Sequence, residues 1–124
     1  MGKIQNFRDL LAWQEGHKLV LFIYEITNKF PQEEKFGLTN QIRRAVVSIT
    51  SNIAEGFGRS SAKDKHHFFV MAKTSLSEVE NQLLIAKDLG YVTLEKYTEV
   101  GEKIELTHRL LGGLIKLLSQ VSHV

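Results

Sequence analysis

The sequence predicts an all-α domain, an antiparallel up-and-down bundle of four helices that spans residues 1–124. Apolar side chains recur at the three- and four-residue spacing of an amphipathic helix along nearly the whole chain, and no segment shows the signals of a β-hairpin. One proline and a few glycines divide this pattern into four parts. At 124 residues the chain has the size of one domain and needs no disulfide or metal to fold.

The first helix is predicted from about Asp9 to Lys29, because Pro31 pushes the residue before it out of the α conformation. Its predicted core face consists of one stripe of residues and a second group of apolar residues beside that stripe. The stripe is Leu10, Trp13, His17, Val20, Tyr24 and Thr27, and the neighbouring set is Leu19, Ile23, Ile26 and Phe30. We expect Trp13 to be a core anchor against the second or third helix rather than a platform on which a ligand stacks.

The second helix is predicted from about Leu38 to Glu55, with Gly56 and Gly58 supplying a flexible end and the following turn. Its apolar stripe is Leu38, Ile42, Ala45, Ile49 and Ile53. A polar stripe on another face consists of Gln41, Arg44, Ser48, Asn52 and Glu55, flanked by Arg43 and Ser51. Because serine and asparagine are poor choices in the middle of a helix, this stripe indicates hydrogen bonds in a partly buried setting.

Three interpretations of the polar stripe stay open: a network that fixes the register of two helices, a ligand or nucleic-acid surface, and a solvated face. The network interpretation predicts an ion pair between Arg43 or Arg44 and Glu78, since the third helix runs back antiparallel and brings these residues level. The predicted members of the network are Arg43, Arg44, Ser48, Asn52, Glu55 and Glu78.

The third helix is predicted to begin after a cap at Ser60 or Ser61, with Asp64 in the place of a capping-box partner, and to end near Leu89. Gly90 is predicted to follow it as a C′ glycine. Its core face is Phe68, Ala72, Leu76, Val79, Leu83 and Ala86. The connections between the helices are short, so sequential helices are expected to lie antiparallel.

The fourth helix is predicted from a cap at Thr93 to near Gln120, and it carries more apolar residues than one buried face needs. Its core stripe is Leu94, Tyr97, Val100, Ile104, Leu111, Ile115 and Leu118, and its flanks add Leu106, Leu110, Leu114, Leu117 and Val121. This surplus predicts a homo-oligomer; the alternative is that the last turns pack under the segment around Phe7. Close helix approach or local fraying would explain the glycines inside predicted helices, which are Gly16, Gly101, Gly112 and Gly113.

The chain has no cysteine, no apolar run long enough to cross a membrane and no signal peptide at its start, which predicts a cytoplasmic protein. Its net charge is only +2, but residues 43–73 hold six basic and two acidic side chains, a local charge of +4. This middle part is therefore the candidate surface for an anionic partner such as RNA or DNA. The candidate contacts are Arg43, Arg44, Arg59, Lys63, Lys65, His66 and Lys73.

Several runs of residues that cover nearly the whole chain resemble one known family. They are Phe7-Arg8-Asp9-Leu10 with Trp13, Phe30-Pro31 with Glu34 and Gly37-Leu38, residues 41–49, residues 51–56 with Arg59, then Phe69, Ala72, Ser75-Leu76 and Glu78, and finally Leu89-Gly90-Tyr91. With these runs the chain resembles the small four-helix-bundle proteins encoded in intervening sequences of bacterial 23S ribosomal RNA genes. Thr74, where the family often has glycine, is a departure that touches only local packing.

The resemblance implies an up-and-down four-helix bundle that assembles into a ring-like homopentamer and has no known enzymatic activity. It also implies kinship with the accessory protein of diversity-generating retroelements. That protein is similar in fold and is associated with nucleic acid and a reverse transcriptase.

The residues predict no catalytic site, metal site or cofactor. Glu105 and His108 form one E-x-x-H pair, whereas a di-iron bundle needs two such pairs and two further glutamates. The adjacent His66 and His67 point about 100° apart on a helix, which makes them poor partners in one metal site. The sequence therefore favours a non-catalytic homo-oligomer that contacts RNA or DNA. The alternative is a protein–protein interaction module that uses the apolar surplus of the fourth helix and has no nucleic-acid role.

Overall fold

The structure, a computed structural model, describes residues 3–121, with the backbone alone for residues 120 and 121. Its helices are α1 (Leu11–Thr27), α2 (Leu38–Phe57), α3 (Ala62–Asp88) and α4 (Leu94–Val121). Short 3-10 turns precede α1 and α2, at Phe7–Asp9 and Gln32–Glu34. Residues 3–121 contain no strand, and none of these helices combines the length and the apolar content needed to cross a bilayer. The prediction of an all-α fold with four helices is confirmed.

The four helices pack in chain order around the bundle. α1 packs on α2, α2 on α3 and α3 on α4, and α4 closes the bundle against α1. The two connections at one end touch each other, since Tyr91 Oη donates a hydrogen bond to Glu34 Oε2 at 3.0 Å and the Tyr91 ring lies 5.5 Å from that of Phe30. By accepting this bond, the Glu34 carboxylate raises the pKa of the Tyr91 hydroxyl.

Side-chain caps begin α3 and α4 where the sequence predicts them. Ser61 Oγ accepts a hydrogen bond from Asp64 N at 3.0 Å, which identifies Ser61, and not Ser60, as the cap of α3. Thr93 Oγ1 accepts one from Lys96 N at 3.2 Å at the start of α4. Each bond satisfies a backbone donor that a helix leaves open in its first turn.

Gly90 ends α3 in the predicted way. Its φ of +81° lies in the left-handed region, which a glycine adopts without steric cost. Gly90 N donates to Lys87 O at 3.0 Å and Tyr91 N donates to Ala86 O at 2.9 Å, and these are the two bonds of a Schellman motif. The chain therefore turns sharply here into the short connection to α4.

The core stripe predicted for α1 is rotated from the one that the structure has. His17 and Tyr24, predicted to face the core, are exposed, whereas Ala12 and Gly16 are buried. The other buried side chains of α1 belong largely to the set predicted to widen the stripe, namely Leu19, Ile23 and Ile26. Small residues carry little signal of burial in a sequence, yet here they allow a close contact. A Cβ at position 16 would lie 3.2 Å from Thr50 Cγ2 of α2.

The predicted stripes of α2 and α3 are confirmed with two corrections. Ile42, Ala45, Ile49, Ile53, Ala72, Leu76, Val79, Leu83 and Ala86 are all buried. The core aromatic residue of α3 is Phe69, while Phe68 is half-buried. Gly56 lies inside α2 and is buried, where a Cβ would come within 2.7 Å of Phe69 Cε1, so that it is a packing residue and not a flexible end. α2 accordingly continues to Phe57, and Gly58 follows it in the turn.

The N-terminal turn around Phe7 packs on α1 and α2 and has no contact with α4 within residues 3–121. The Phe7 ring meets the Trp13 ring edge-on at 5.2 Å, and Trp13 stacks on His17 at 4.8 Å. Trp13 is half-buried and packs at the edge of the core. The alternative in which the Phe7 segment covers the end of α4 is therefore wrong for the described residues.

Candidate nucleic-acid interface

A small hydrogen-bonded network joins α2 to α3. Ser48 Oγ and Ser75 Oγ lie 2.9 Å apart, and Asn52 Nδ2 donates to Ser48 O at 2.9 Å and to Ser48 Oγ at 3.0 Å. Ser75 is buried, and the other two residues are half-buried. Polar groups bonded to one another in such a setting specify how two helices align, because any shift leaves them without partners. Ser48 and Asn52 are the members of the predicted network that take part.

Arg43 belongs to the contact between α1 and α2. Its Nε donates to Thr27 Oγ1 at 2.8 Å, its Nη2 donates to Asn28 Oδ1 at 3.0 Å, and its guanidinium carbon lies 4.6 Å from the centre of the Tyr24 ring. Position 43 precedes Ser48 by five residues, about 140° around the helix, and so points away from α3. Arg43 thus brings a positive charge to the C-terminal end of α1, whose last turn has no basic residue of its own.

The predicted ion pair between Glu78 and either Arg43 or Arg44 is absent from residues 3–121. Arg44 and Glu78 are both exposed. In water such a pair contributes at most about 1 kcal/mol and orders two long side chains, so that solvation of each charge competes well with pairing. The last predicted member of the network, Glu55, pairs with Arg59 instead.

Two basic residues at the α2–α3 turn are already engaged within the chain. Arg59 Nη2 lies 2.8 Å from Glu55 Oε2, and its guanidinium carbon lies 4.5 Å from the centre of the Phe68 ring. Lys65 Nζ donates to Phe57 O at 2.6 Å, which places a cation at the C-terminal end of α2. These contacts assign part of the predicted basic cluster to holding the turn.

Four of the candidate contacts are exposed cations, Arg44, Arg59, Lys63 and Lys73, and within the described chain all of them except Arg59 are without an ion pair. His66 is half-buried, while its neighbour His67 is exposed. Lys63 and Lys73 both lie on α3, ten residues or about 15 Å of helix rise apart. The structure therefore spreads the exposed charge along the bundle and does not gather it at one end.

A cavity of about 210 Å³ beside Arg43 is a feature that sequence reasoning missed. This Arg43 cavity lies between the α1–α2 connection and the start of α2, and its polar lining is Arg43, Lys35, Asn28, Gln32, Thr27 and Thr39. One signal could have pointed to it. Thr39 precedes Arg43 by four residues, so a hydroxyl and a basic residue share one face of α2.

The outer side of α4 is a second surface that packing within the chain leaves open. Leu94 and Leu117 are 72% and 57% exposed, so the predicted core position of Leu94 is wrong. Apart from its own helix backbone, a Cβ at Gly101, Gly112 or Gly113 would meet no described atom within 4 Å, so close approach among the described residues explains Gly16 alone of the four glycines. The flanking residues Leu106, Leu110 and Leu114 are half-buried. The side chain of Val121, the last predicted flanking residue, lies outside the described residues.

Glu105 and His108 line a shallow cavity of about 260 Å³ together with Glu80 of α3. The Glu105 carboxylate lies 3.8 Å from Arg109 Nη2, at the long end of the range for an ion pair. Within residues 3–121, no three histidine, aspartate or glutamate side chains are arranged to hold a metal ion. The E-x-x-H spacing is thus part of a polar helix surface in the described chain.

Comparisons with known proteins find one matching family and a solved structure of similar fold. A sequence model of the family described as 23S rRNA-intervening sequence protein matches residues 8–113. A crystal structure of a protein of unknown function from the S23 ribosomal protein family of Bacteroides thetaiotaomicron VPI-5482 has a similar fold, with a TM-score of 0.79 at 22% identity. That match covers 86% of this chain and 99% of the other. No curated protein matches this chain.

Proposed function

Since this chain belongs to the 23S rRNA-intervening sequence protein family, we propose that it is a non-catalytic subunit of a homo-oligomer that associates with RNA or DNA. A pentamer is the expected assembly. The observation that carries the proposal is the open space around Gly112 and Gly113 on α4, beside the exposed Leu117.

The surroundings of these glycines support a contact between copies. A glycine inside a helix costs about 1 kcal/mol relative to alanine, and nothing among the described residues approaches Gly112 or Gly113 closely enough to require the missing side chain. Leu117 leaves 57% of its surface in water, and Leu114 is half-buried. A helix from a second copy would cover this apolar strip and use the close approach that paired glycines allow.

Light scattering at micromolar concentration tests the assembly. We expect a mass several times the 14.1 kDa of one chain. Leu117→Lys should shift the protein towards the monomer, because it places a charge in the proposed contact. Leu21→Lys is the matched control, since Leu21 is 59% exposed on α1 and, because Gly16 faces Thr107 of the antiparallel α4, lies towards the other end of the bundle from Leu117. A wild-type particle of 14.1 kDa would contradict the proposal.

The association with nucleic acid is supported by the exposed cations of α2 and α3. Arg44 and Lys73 are free to contact phosphates, as is Lys63 at the start of α3. In an assembly each of these sites is repeated, and repeated contacts bind a long polyanion more tightly than one copy does.

Fluorescence anisotropy with structured RNA and with duplex DNA, over a range of salt, tests this association. The double variant Arg44→Gln, Lys73→Gln should bind more weakly than the wild type, and for duplex DNA its salt slope should be smaller by about 0.9 per lost phosphate contact. Lys18→Gln with Arg109→Gln removes the same charge outside residues 43–73 and should bind as the wild type does. If the wild-type protein binds neither the RNA nor the DNA at low salt, this half of the proposal is wrong.

The second candidate function is a protein-interaction module, and the exposed Leu94 and Leu117 favour it. In that case α4 would bind a different protein, and nucleic acid would play no part. A pull-down from the native cell with and without nuclease separates the two functions. A monomeric protein that keeps its partner after nuclease treatment supports the module.

A further inference from the structure

The Arg43 cavity is positively charged. Two of its lining side chains, Arg43 and Lys35, are cations, and no carboxylate lines it. The nearby Glu34 carboxylate is engaged outside the cavity, because it accepts hydrogen bonds from Tyr91 Oη and from Leu38 N, each at 3.0 Å. The charge of the lining therefore has no counter-ion among the residues that surround it.

Arg43 has donors that its contacts within the chain leave unused. Its hydrogen bonds go to neutral acceptors, Thr27 Oγ1, Asn28 Oδ1 and, at 3.5 Å, Tyr24 O. Its Nη1 has no acceptor within residues 3–121. A hydrogen bond from a guanidinium to an anion is about twice as strong as one between neutral groups. A half-buried arginine in these surroundings is thus poised to bind an anion.

Thr39 provides independent support. It is 8% exposed and lines the cavity, and its hydroxyl has no hydrogen-bond partner in the described chain. This hydroxyl is in reach of solvent, because the one buried polar side-chain atom without a partner among the described residues is Gln82 Oε1, and it can therefore donate to a group that enters the cavity.

We propose that the Arg43 cavity binds one phosphate group, held by Arg43 and Lys35, with Thr39 Oγ1 donating a third hydrogen bond. The amide groups of Asn28 and Gln32 line the same cavity and supply further donors. A set of five donor side chains matches a phosphate group better than a carboxylate, because a carboxylate has only two oxygen atoms to accept hydrogen bonds. At about 210 Å³ the cavity is smaller than those that enclose a whole small-molecule ligand, which fits a phosphate whose remaining molecule stays outside.

The phosphate has two possible sources: the backbone of RNA or DNA, in which case this inference rests on the proposed function, and a free phosphorylated molecule. Inorganic phosphate is the first probe, followed by amide NMR. We expect saturable shifts for residues 32 and 39 in the wild type. Lys35→Gln should weaken the affinity about tenfold and Thr39→Val about threefold. Arg43 is left intact, because it also holds the end of α1.

Lys29→Gln is the charge-matched control, because Lys29 lines a different cavity beside Tyr91 and should keep wild-type affinity. Equal binding by the two lysine variants, or no saturable shift at residues 32 and 39 of the wild type, would overturn the proposal. Thermal unfolding of each variant verifies that it is folded.

The same variants are then titrated with a single-stranded RNA and with a nucleoside monophosphate. If the affinity for RNA falls more in Lys35→Gln than in Lys29→Gln, the cavity binds a backbone phosphate. If Lys35→Gln loses affinity only for the nucleoside monophosphate, the cavity binds a free phosphorylated molecule. RNA binding that both variants lower equally, without phosphate binding, refutes the cavity and leaves the proposed function standing. Phosphate binding without affinity for RNA or DNA supports the cavity and refutes the nucleic-acid half of that function.

Discussion

Glycines inside α2 and inside α4 have opposite surroundings. A Cβ at Gly56 would press against the buried Phe69 ring at 2.7 Å, whereas one at Gly112 or Gly113 would meet nothing within 4 Å. All three positions sacrifice helix propensity, by about 1 kcal/mol each. In α2 the contact with α3 compensates for that loss, since the two helices come together only without a side chain there. In α4 nothing within the described chain does so, and in the proposed assembly a second copy of the chain would provide the compensation.

The largest expected effect is that of Gly56→Ala. The added methyl group would lie 2.7 Å from the buried Phe69 ring and 3.1 Å from Phe68 Cβ, so both have to shift and the gain in helix propensity is outweighed. We expect the free energy of unfolding to fall by about 2 kcal/mol, as measured by urea denaturation. Gly101→Ala, in open surroundings on α4, serves as control. A Gly56→Ala protein as stable as the wild type would remove the contrast between the two regions.

The double variant Gly112→Ala, Gly113→Ala examines the other side of the comparison. Among the described residues both methyl groups point into open space, so the isolated chain should gain about 1 kcal/mol of stability per glycine through helix propensity. If copies pack on this surface, the same variant should assemble less, because the backbones can no longer approach as closely. Urea denaturation at low concentration measures the first effect and light scattering the second. A loss of stability in the dilute chain would mean that these glycines are packed within the chain after all.

Ser75→Ala tests how much the hydrogen bond between Ser48 and Ser75 stabilises the contact between α2 and α3. It removes the hydrogen bond to Ser48, while Asn52 still donates to the Ser48 hydroxyl oxygen, and because Ser48 is only half-buried, water can take the place of the lost partner. We therefore expect a loss of about 0.5–1 kcal/mol in the free energy of unfolding. Ser77→Ala, an exposed change on the same helix, should have little effect. Equal values for the two variants would show that the network does not stabilise the contact.

The smallest effect concerns the end of the bundle where the two connections touch. The pKa of Tyr91 is raised in the folded protein above its ordinary 10.0, chiefly by its bond to Glu34. The corresponding stability is fully present below about pH 10 and is lost as the pH rises through the folded pKa. Between pH 8 and 11 the stability of Tyr91→Phe should therefore decline less than that of the wild type. Denaturation curves at both pH values measure this, and parallel declines would show that the bond contributes nothing.

Much of the fold could be read from local patterns. The periodicity of α2 and α3 identified their core residues, and Ser61, Gly90 and Thr93 identified helix ends, because each acts through bonds to a backbone a few residues away. The failures involve directions set by other helices. His17 and Tyr24 carried an apolar signal, yet α1 turns Gly16 towards α2.

The candidate site was less predictable than the fold. The sequence lists the basic residues of the middle part, and their role as nucleic-acid contacts stays a prediction, but it did not reveal their partners within the chain. Arg43 turned out to bond Thr27 and Asn28 of α1, and Lys65 to bond Phe57 O. A charge in a sequence indicates what a residue can bind, while its choice among nearby acceptors depends on which helix face it occupies.

The sequence by itself determined four helices, their approximate ends and the family, because periodicity, capping and motif are local properties of the chain. Only the tertiary structure decided which glycines are packed and which are open, and that Thr39, Lys35 and Arg43 surround one cavity. Those outcomes depend on how closely and at what rotation two helices meet. That geometry follows from the packing of all four helices together, and the sequence of a single helix does not determine it.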